Sequence, residues 1–327
     1  MEWNKKAVLI TGGTGSFGKK FAEVMLRDCH PKKLIIFSRD ELKQHEMQQG
    51  GFDHESLRYF IGDVRDVDRL RRALRGVDVV VHAAALKQVP ACEYNPIEAV
   101  LTNVMGARNV IEASLDCGVE HIMAISTDKA VNPINLYGAT KLVMEKLFVQ
   151  ANAYRGLGNT KFSCVRYGNV VGSRGSVIPL FVSQAKTGKI TVTDPAMTRF
   201  WITLDQGVRF VVSCIEKMHG GEIFVPKIPS MKIMDLARVA APDCEIEYSG
   251  IRPGEKINEL LISEDEVRTT IETDNMYIVE PVHPWWSDWK WDGGKPMQEG
   301  FRYSSDTNAR WLTDGQLKEM LRESKQG

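Results

Sequence analysis

The chain has 327 residues, 43% of them hydrophobic, and its 42 Lys and Arg balance its 42 Asp and Glu to a formal net charge of +0. This composition supports a sizeable core and excludes global disorder. The balance argues against a general nucleic-acid binder while leaving room for a local basic pocket for a phosphorylated small molecule.

No apolar run approaches the ~20 residues of a membrane span; positions 77–86, among the longest, are broken by Asp78 and His82. The first residues lead straight into a strand-like run without an apolar signal core, so a cytoplasmic protein is expected. Nucleic acid and membrane are not expected partners. Cys29, Cys92, Cys117, Cys164, Cys214 and Cys244 are widely spaced, which suits reduced, packed thiols. The seven histidines are isolated and suggest no metal site.

In chain order, positions 7–11, 34–38, 57–61, 77–82 and 121–126 read as strands. Positions 16–28, 67–75, 96–117 and 137–154 read as helices, and 161–166 as a further strand. Apolar runs bounded by turn residues suit strands buried on both faces. The alternation predicts an α/β fold, a Rossmann-type doubly wound parallel sheet with a smaller C-terminal substrate-binding lobe. After Tyr167, Gly and Pro become frequent (Gly168, Gly172, Gly175, Pro179, Pro195) and elements shorten. Residues 1–167 are therefore read as the dinucleotide domain and 168–327 as the second lobe, with some segments returning to the first. The stretch 284–294, with four tryptophans, is expected to be a surface loop packed on the body or on a subunit.

The first strand runs into Thr11-Gly12-Gly13-Thr14-Gly15-Ser16-Phe17-Gly18. Glycines allow a tight turn and close approach of backbone to a pyrophosphate, and the helix that follows offers free N–H groups. Strand, glycine run and helix together point to a dinucleotide. An acidic residue usually ends the second strand of an NAD unit. Here Ser38-Arg39 stands there with Lys43 a turn later, a set suited to a 2′-phosphate. NADP is favoured, and nearby Asp40 and Glu41 keep NAD open. Asp63, in Gly62-Asp63-Val64, is read either as an acceptor for the adenine amino group or as the cap of the next helix.

Tyr137 and Lys141 form Y-x-x-x-K, which places both on one helix face. There the ammonium can lower the phenol pKa and hold the nicotinamide ribose, and the phenolate can take a proton from a sugar hydroxyl. The glycine run, Tyr137-Gly138-Ala139-Thr140-Lys141 and the Asn103 helix resemble the extended short-chain dehydrogenase/reductase superfamily. More closely, the chain is similar to the inverting UDP-N-acetylglucosamine 4,6-dehydratases. The residues concerned are Ser126-Thr127-Asp128-Lys129-Ala130-Val131, Pro133-Ile134-Asn135-Leu136-Tyr137, Phe37-Ser38-Arg39-Asp40-Glu41-Leu42-Lys43, Arg252-Pro253-Gly254-Glu255-Lys256 and Tyr303-Ser304-Ser305-Asp306-Thr307-Asn308. A tyrosine at 137 resembles the pseudaminic acid branch; capsule-pathway relatives tend to carry Met there.

The resemblance implies UDP-N-acetylglucosamine as substrate and a tightly bound NADP that is recycled. It implies a homo-oligomer, dimer or hexamer. Lys129 would remove the carbon-5 proton and Asp128 would protonate the leaving hydroxyl, with Thr127 beside them. Burial would push both pKa values the required way, and an ion pair would push both the wrong way. The alternative for this pair is a helix-capping Asp beside a solvated Lys. Around the cofactor the implied set adds Thr14, Gly15, Ser16, Phe17, Val64, Ala83, Ala84, Lys87, Asn103 and Ser126.

At the substrate end, Arg199 and Arg252 are candidate diphosphate ligands, since Arg forks suit phosphate oxygens. Glu255 is read as a ribose acceptor, Asn169 and Lys87 as sugar or phosphate contacts, and Val177 and Thr198 as further substrate residues. His82 reads as a packed histidine. The runner-up is a UDP-sugar 4-epimerase, which has no need of Asp128-Lys129. A non-catalytic NADP-sensing protein would have no need of Tyr137 and Lys141.

Overall fold

The computed structural model describes residues 1–156, 158–171, 177–283, 286 and 290–326. Gly172, Gly175, Trp285 and Trp289 lie outside the described residues.

Strands β1 (Ala7–Thr11), β2 (Lys33–Ser38), β3 (Leu57–Ile61), β4 (Val79–His82), β5 (His121–Ile125) and β6 (Lys161–Val165) run parallel in the order β3-β2-β1-β4-β5-β6. The apolar residues of the inner strands are buried on both faces, and Val8, Leu9, Ile10, Val79, Val80 and Val81 are wholly inaccessible, while edge strand β3 leaves Ile61 exposed. That burial is why the strands read as continuous apolar runs. The order reverses between β1 and β4, and in such sheets ligands bind beyond the strand C-termini at that point. Helices α1 (Ser16–Val24), α2 (Glu41–Gln49), α3 (Val67–Ala73), α4 (Val89–Tyr94), α5 (Pro96–Ala99), α6 (Gly106–Cys117) and α7 (Leu136–Ala151) connect them.

Two expected helices are interrupted by π-helical turns. The first ends at Val24 and continues as Met25–Cys29. The second breaks into α5, a π segment Val100–Met105, and α6. The extra residue per turn accompanies an inward Asn103 whose side chain holds the Leu86 backbone, a bond that a 3.6 period cannot foretell. Helix α2 escaped the sequence reading because Met47 is its one buried apolar residue, too few for a periodic signal.

Past β6 the chain forms β7 (Asn169–Val170), α8 (Val177–Ala185), β8 (Lys189–Val192), β9 (Thr198–Ile202) and α9 (Leu204–Lys217). There follow β10 (Ile223–Pro226), β11 (Ser230–Lys232), α10 (Ile233–Ala240), β12 (Glu245–Tyr248), β13 (Leu260–Ile262), β14 (Thr270–Glu272), β15 (Met276–Val279), β16 (Lys295–Pro296), β17 (Tyr303–Ser304) and α11 (Asp314–Gln326). β10 joins the main sheet parallel to β6, and β15, β14 and β16 extend it antiparallel. A second apolar core forms where α8, α10 and α11 close over β8 and β9, around Phe181, Trp201, Leu236 and Leu317. Of the tryptophan-rich stretch, Trp291 packs on the first core edge-on to Phe224 and His219.

A buried double fork ties β6 and α7 to the segment that follows β13. Arg166 bonds both carboxylate oxygens of Glu145 on α7 at 3.0 and 2.7 Å. It also bonds both of Glu266 at 3.1 and 2.9 Å, and the Leu261 carbonyl. Bidentate Arg–carboxylate pairs are strong and directional. Among the described residues no helix is long and apolar enough to cross a membrane.

Candidate active site

The C-terminal ends of the strands open into a cleft of about 1170 Å³, larger than a single small-molecule pocket usually is. Every site residue singled out from the sequence lines it except Asn103 and Thr198. Both exceptions are corrections with a clear cause. Asn103 bonds the Leu86 N–H and carbonyl and the Thr140 hydroxyl, so it braces the wall from behind. Thr198 is buried with its hydroxyl on Asn258 and Ser305.

The glycine loop closes the β1 side. Gly12 sits at φ +67°, and a β-carbon there would lie 3.0 Å from the Ala84 backbone. The loop is held by the Gly15 N–H, which donates to the Gly12 carbonyl at 3.0 Å. Helix α1 then begins at Ser16, at the cleft. Beneath the loop the Thr11 hydroxyl accepts from the Ala83 and Ala84 N–H groups, so its own proton goes to His82 Nδ1 at 2.9 Å. His82 is therefore a packed, neutral ring; burial pushes its pKa down to about 3.

At the end of β2, Ser38 Oγ accepts from Gln44, which leaves its proton for another acceptor. Asp40 caps α2 through the Lys43 N–H and pairs with the Lys43 ammonium at 2.6 Å. Arg39 is half-exposed and stands 3.6 Å from Asp63. Asp63 bonds Arg65, and α3 is capped by Asp66, so the capping alternative for Asp63 does not hold.

The β5 end turns through Asp128–Ala130, capped by Thr127, with α7 capped by Asn135. Asp128 is thus not a helix cap; it is fully buried, and its Oδ1 receives the Thr127 hydroxyl at 2.8 Å and the Lys129 ammonium at 3.1 Å. Lys129 also reaches Glu259 Oε1 at 3.2 Å. Burial would lower Lys129, but Asp128 and then Glu259 more than reverse it and hold the ammonium above the ordinary lysine range. Of the two opposing effects weighed from the sequence, the ion pair outweighs burial at Lys129.

Helix α7 lies against this turn at Gly138, where any side chain would meet the Lys129 carbonyl. Burial raises the Tyr137 phenol to about 12, while Lys129 and a Thr127 hydrogen bond pull it down. Lys141 is buried, and burial lowers it to about 8. Its ammonium donates to the Ile125 carbonyl at 2.6 Å and lies 3.0 Å from Met144 Sδ. Lys129 is the cation that lowers the Tyr137 phenol most, while the ammonium of Lys141 is aimed inward at β5.

On the opposite wall, Arg199 donates to the Thr198, Ile257 and Lys256 carbonyls at 2.7 to 2.9 Å. Its fork is committed, which corrects its reading as a free diphosphate ligand. Arg252 is exposed, with Glu255 as a loose partner at 4.0 Å. Lys87 lies in the cleft and burial lowers its pKa.

A family model for polysaccharide biosynthesis proteins matches residues 8–281. The chain belongs to this family. It is 52% identical, over 98% of each chain, to the UDP-N-acetylglucosamine 4,6-dehydratase (inverting) of Campylobacter jejuni subsp. jejuni serotype O:2. A UDP-glucose 4-epimerase of Rickettsia massiliae is 45% identical over 84% of this chain and 82% of its own. The X-ray structure of Pen from Bacillus thuringiensis matches 99% of each chain at 39% identity and a TM-score of 0.91. The resemblance to inverting 4,6-dehydratases read from the motifs is borne out by a relative matched nearly end to end.

Two residues of this polysaccharide biosynthesis protein escaped the sequence reading. Glu259 is buried beside Lys129, and Lys256 lies 4.0 Å from Glu259 and donates to the Val131 carbonyl. Lys256 sits within the quoted Arg252–Lys256 motif, but no local pattern marks Glu259. Among the described residues, six buried polar atoms along the cleft have no hydrogen-bond partner: Thr102 Oγ1, Ser126 Oγ, Asp128 Oδ2, Asn169 Oδ1, Glu255 Oε2 and Glu259 Oε2. Buried polar groups are normally paired, so such a concentration marks a wall built for a polar ligand.

Proposed function

We propose that this chain is a UDP-N-acetylglucosamine 4,6-dehydratase that inverts carbon 5, a hydro-lyase that leaves its cofactor unchanged. The observation that carries it is the 3.1 Å Asp128–Lys129 contact, which lines the same cleft as Tyr137. An acid and a base side by side are what elimination needs and what epimerisation does not. The substrate and the inversion are supported by the Campylobacter relative.

The loop fits a nicotinamide dinucleotide, because Gly12 gives close backbone approach and the wall offers the unpartnered Ser126 Oγ. Ser38, Arg39 and Lys43 would meet a 2′-phosphate. The half-exposed Arg39 stands at the end of β2, where an NAD unit usually carries an acid, which supports NADP over NAD. Bound there, a nicotinamide would supply reversible hydride exchange with the sugar.

Tyr137 takes the proton of the carbon-4 hydroxyl, and Lys141 is the residue that would hold the nicotinamide ribose. A ketone at carbon 4 acidifies the carbon-5 proton. Moving one proton across the Lys129–Asp128 contact turns the ion pair into amine and carboxylic acid, the two forms the elimination requires. Lys129 then takes the carbon-5 proton, and Asp128 protonates the departing carbon-6 hydroxyl. Tyr137 is the candidate donor to the opposite face of carbon 5. Arg252 meets the diphosphate, Lys87 and Asn169 the sugar, and Glu255 the ribose. Cytoplasmic location, assembly as a dimer or hexamer, and a place in the pseudaminic acid branch belong to the same proposal.

The epimerase reading draws on the Rickettsia relatives. Mass spectrometry of the protein incubated with UDP-N-acetylglucosamine separates the two. Loss of one water without added cofactor is expected; an unchanged mass refutes the dehydratase. Asp128→Asn and Lys129→Met should each stop at a 4-keto sugar that retains its carbon-6 hydroxyl, with NADPH absorbance persisting.

A further inference from the structure

Glu259 is fixed through its main chain. Its N–H donates to Ser305 Oγ at 2.9 Å, and its carbonyl accepts from the Ser305 N–H at 2.9 Å. Its side chain is buried yet lines the cleft. A carboxylate buried for purely structural reasons has both oxygens bonded. Here Oε1 meets Lys129 at 3.2 Å, and Oε2 has no hydrogen-bond partner. Arg199 Nε and Lys256 Nζ each stand 4.0 Å away.

Lys129 thus lies between two carboxylates, one on each wall, at 3.1 and 3.2 Å. Its other titratable or charged neighbours are Tyr137 on α7, Arg199 on β9 and Lys256 on the loop before β13.

We propose that Glu259 is the positioning residue that makes proton removal at carbon 5 one-way, holding the Lys129 amine against Asp128 and retaining the proton that Lys129 takes. The proposal rests on the reading of Lys129 as the base. In that step the carbon-5 C–H bond breaks and its electron pair enters the enolate of the 4-keto group. The proton forms the third N–H bond of Lys129. The enolate pair then forms the carbon 5–carbon 6 double bond as the carbon-6 C–O bond breaks, and the hydroxyl leaves as water with the Asp128 proton.

A proton returned by Lys129 would arrive on the face it left and restore the starting configuration. Inversion requires Lys129 to keep it while another group delivers a proton from the opposite side. A second carboxylate on the ammonium stabilises the protonated form and so suppresses return. The upward shift of Lys129 by Asp128 and Glu259, against burial, agrees with this geometry.

The test is trace acetylation of the full-length protein with acetic anhydride near neutral pH. The Lys129 peptide is read by mass spectrometry against exposed Lys32. Only the neutral amine reacts, so each unit lost from the Lys129 pKa raises its labelling about tenfold. Glu259→Gln should label Lys129 about tenfold faster or more. Glu259→Asp, whose carboxylate is drawn back by one methylene, should show a smaller rise and serves if the Gln variant does not fold. NMR of the product should show sugar of unchanged carbon-5 configuration increasing in Glu259→Gln.

Labelling within about twofold of wild type in both variants, or wholly inverted product from Glu259→Gln, overturns the proposal. Lys129→Met separates it from the reading beneath it. Water loss surviving in Lys129→Met removes Lys129 as the base and the proposal with it. A stalled Lys129→Met beside an unaffected Glu259→Gln removes the role of Glu259 alone.

Discussion

Replacing Gly138 by Ala sets two effects of opposite sign against each other. Gly138 is the third residue of α7, where Ala is favoured over Gly by up to about 1 kcal/mol, so propensity predicts a more stable protein. The packing predicts the reverse. A β-carbon at Gly138 would overlap the Lys129 carbonyl oxygen, with the carbonyl carbon at 2.9 Å and Pro133 Cβ at 3.1 Å. Backbone cannot swing aside as a side-chain end can, so α7 must part from the Asp128–Ala130 turn by about 1 Å, which overpacking data put at ~1–3 kcal/mol. The contact offsets the propensity or outweighs it, and the net loss is about 0–2 kcal/mol. The same shift separates Tyr137 from Asp128 and Lys129, and a misplacement of about 1 Å costs roughly 10²-fold in rate. Urea unfolding gives the first quantity, and the rate of water loss from UDP-N-acetylglucosamine gives the second. A variant as stable as wild type or more so, with wild-type turnover, would refute the argument that Gly138 sets the spacing of the site.

Arg166→Met leaves Glu145, wholly buried, without its cation and should cost about 3–5 kcal/mol in urea unfolding; a loss under about 1 kcal/mol would mean the fork contributes little. Acid should destabilise the protein through His82, whose folded pKa of about 3 lies below its ordinary 6.5. Between those values the unfolded chain binds the extra proton, so stability falls as pH drops through 6.5, by up to about 1.4 kcal/mol per unit, and the term is absent above it. His82→Gln should flatten that slope in unfolding curves taken from about pH 7 to 5; an unchanged slope assigns it to other groups. Arg39→Ala should weaken NADP more than NAD in a binding titration, because only NADP carries the 2′-phosphate. Equal losses for both cofactors would remove Arg39 from that site.

Much of the fold and half of the site follow from the sequence, because they are local. Alternating apolar runs and helical periods specify β1 to β6 and most of their helices. Gly12–Gly18 announces a turn by composition, and four-residue spacing puts Tyr137 and Lys141 on one helix. What these side chains meet was settled by contacts between distant segments. Lys141 turns to the Ile125 carbonyl, and Lys129 faces Tyr137, because Gly138 lets α7 rest directly on the 128–130 turn. Arg199 carries the same guanidinium as Arg252, yet three carbonyls of the 198–257 crossing occupy it while Arg252 stays exposed. Asn103 looked like a cofactor residue and braces Leu86, through a π turn with no period to betray it. Glu259 has no motif at all. It becomes part of the site only when the strand it precedes pairs with the chain around Ser305 and delivers its carboxylate to Lys129. Periodicity and turn chemistry record what a residue does to its own backbone. The charge on Lys129 is decided by which carboxylates are folded against it, and that is a property of the tertiary structure.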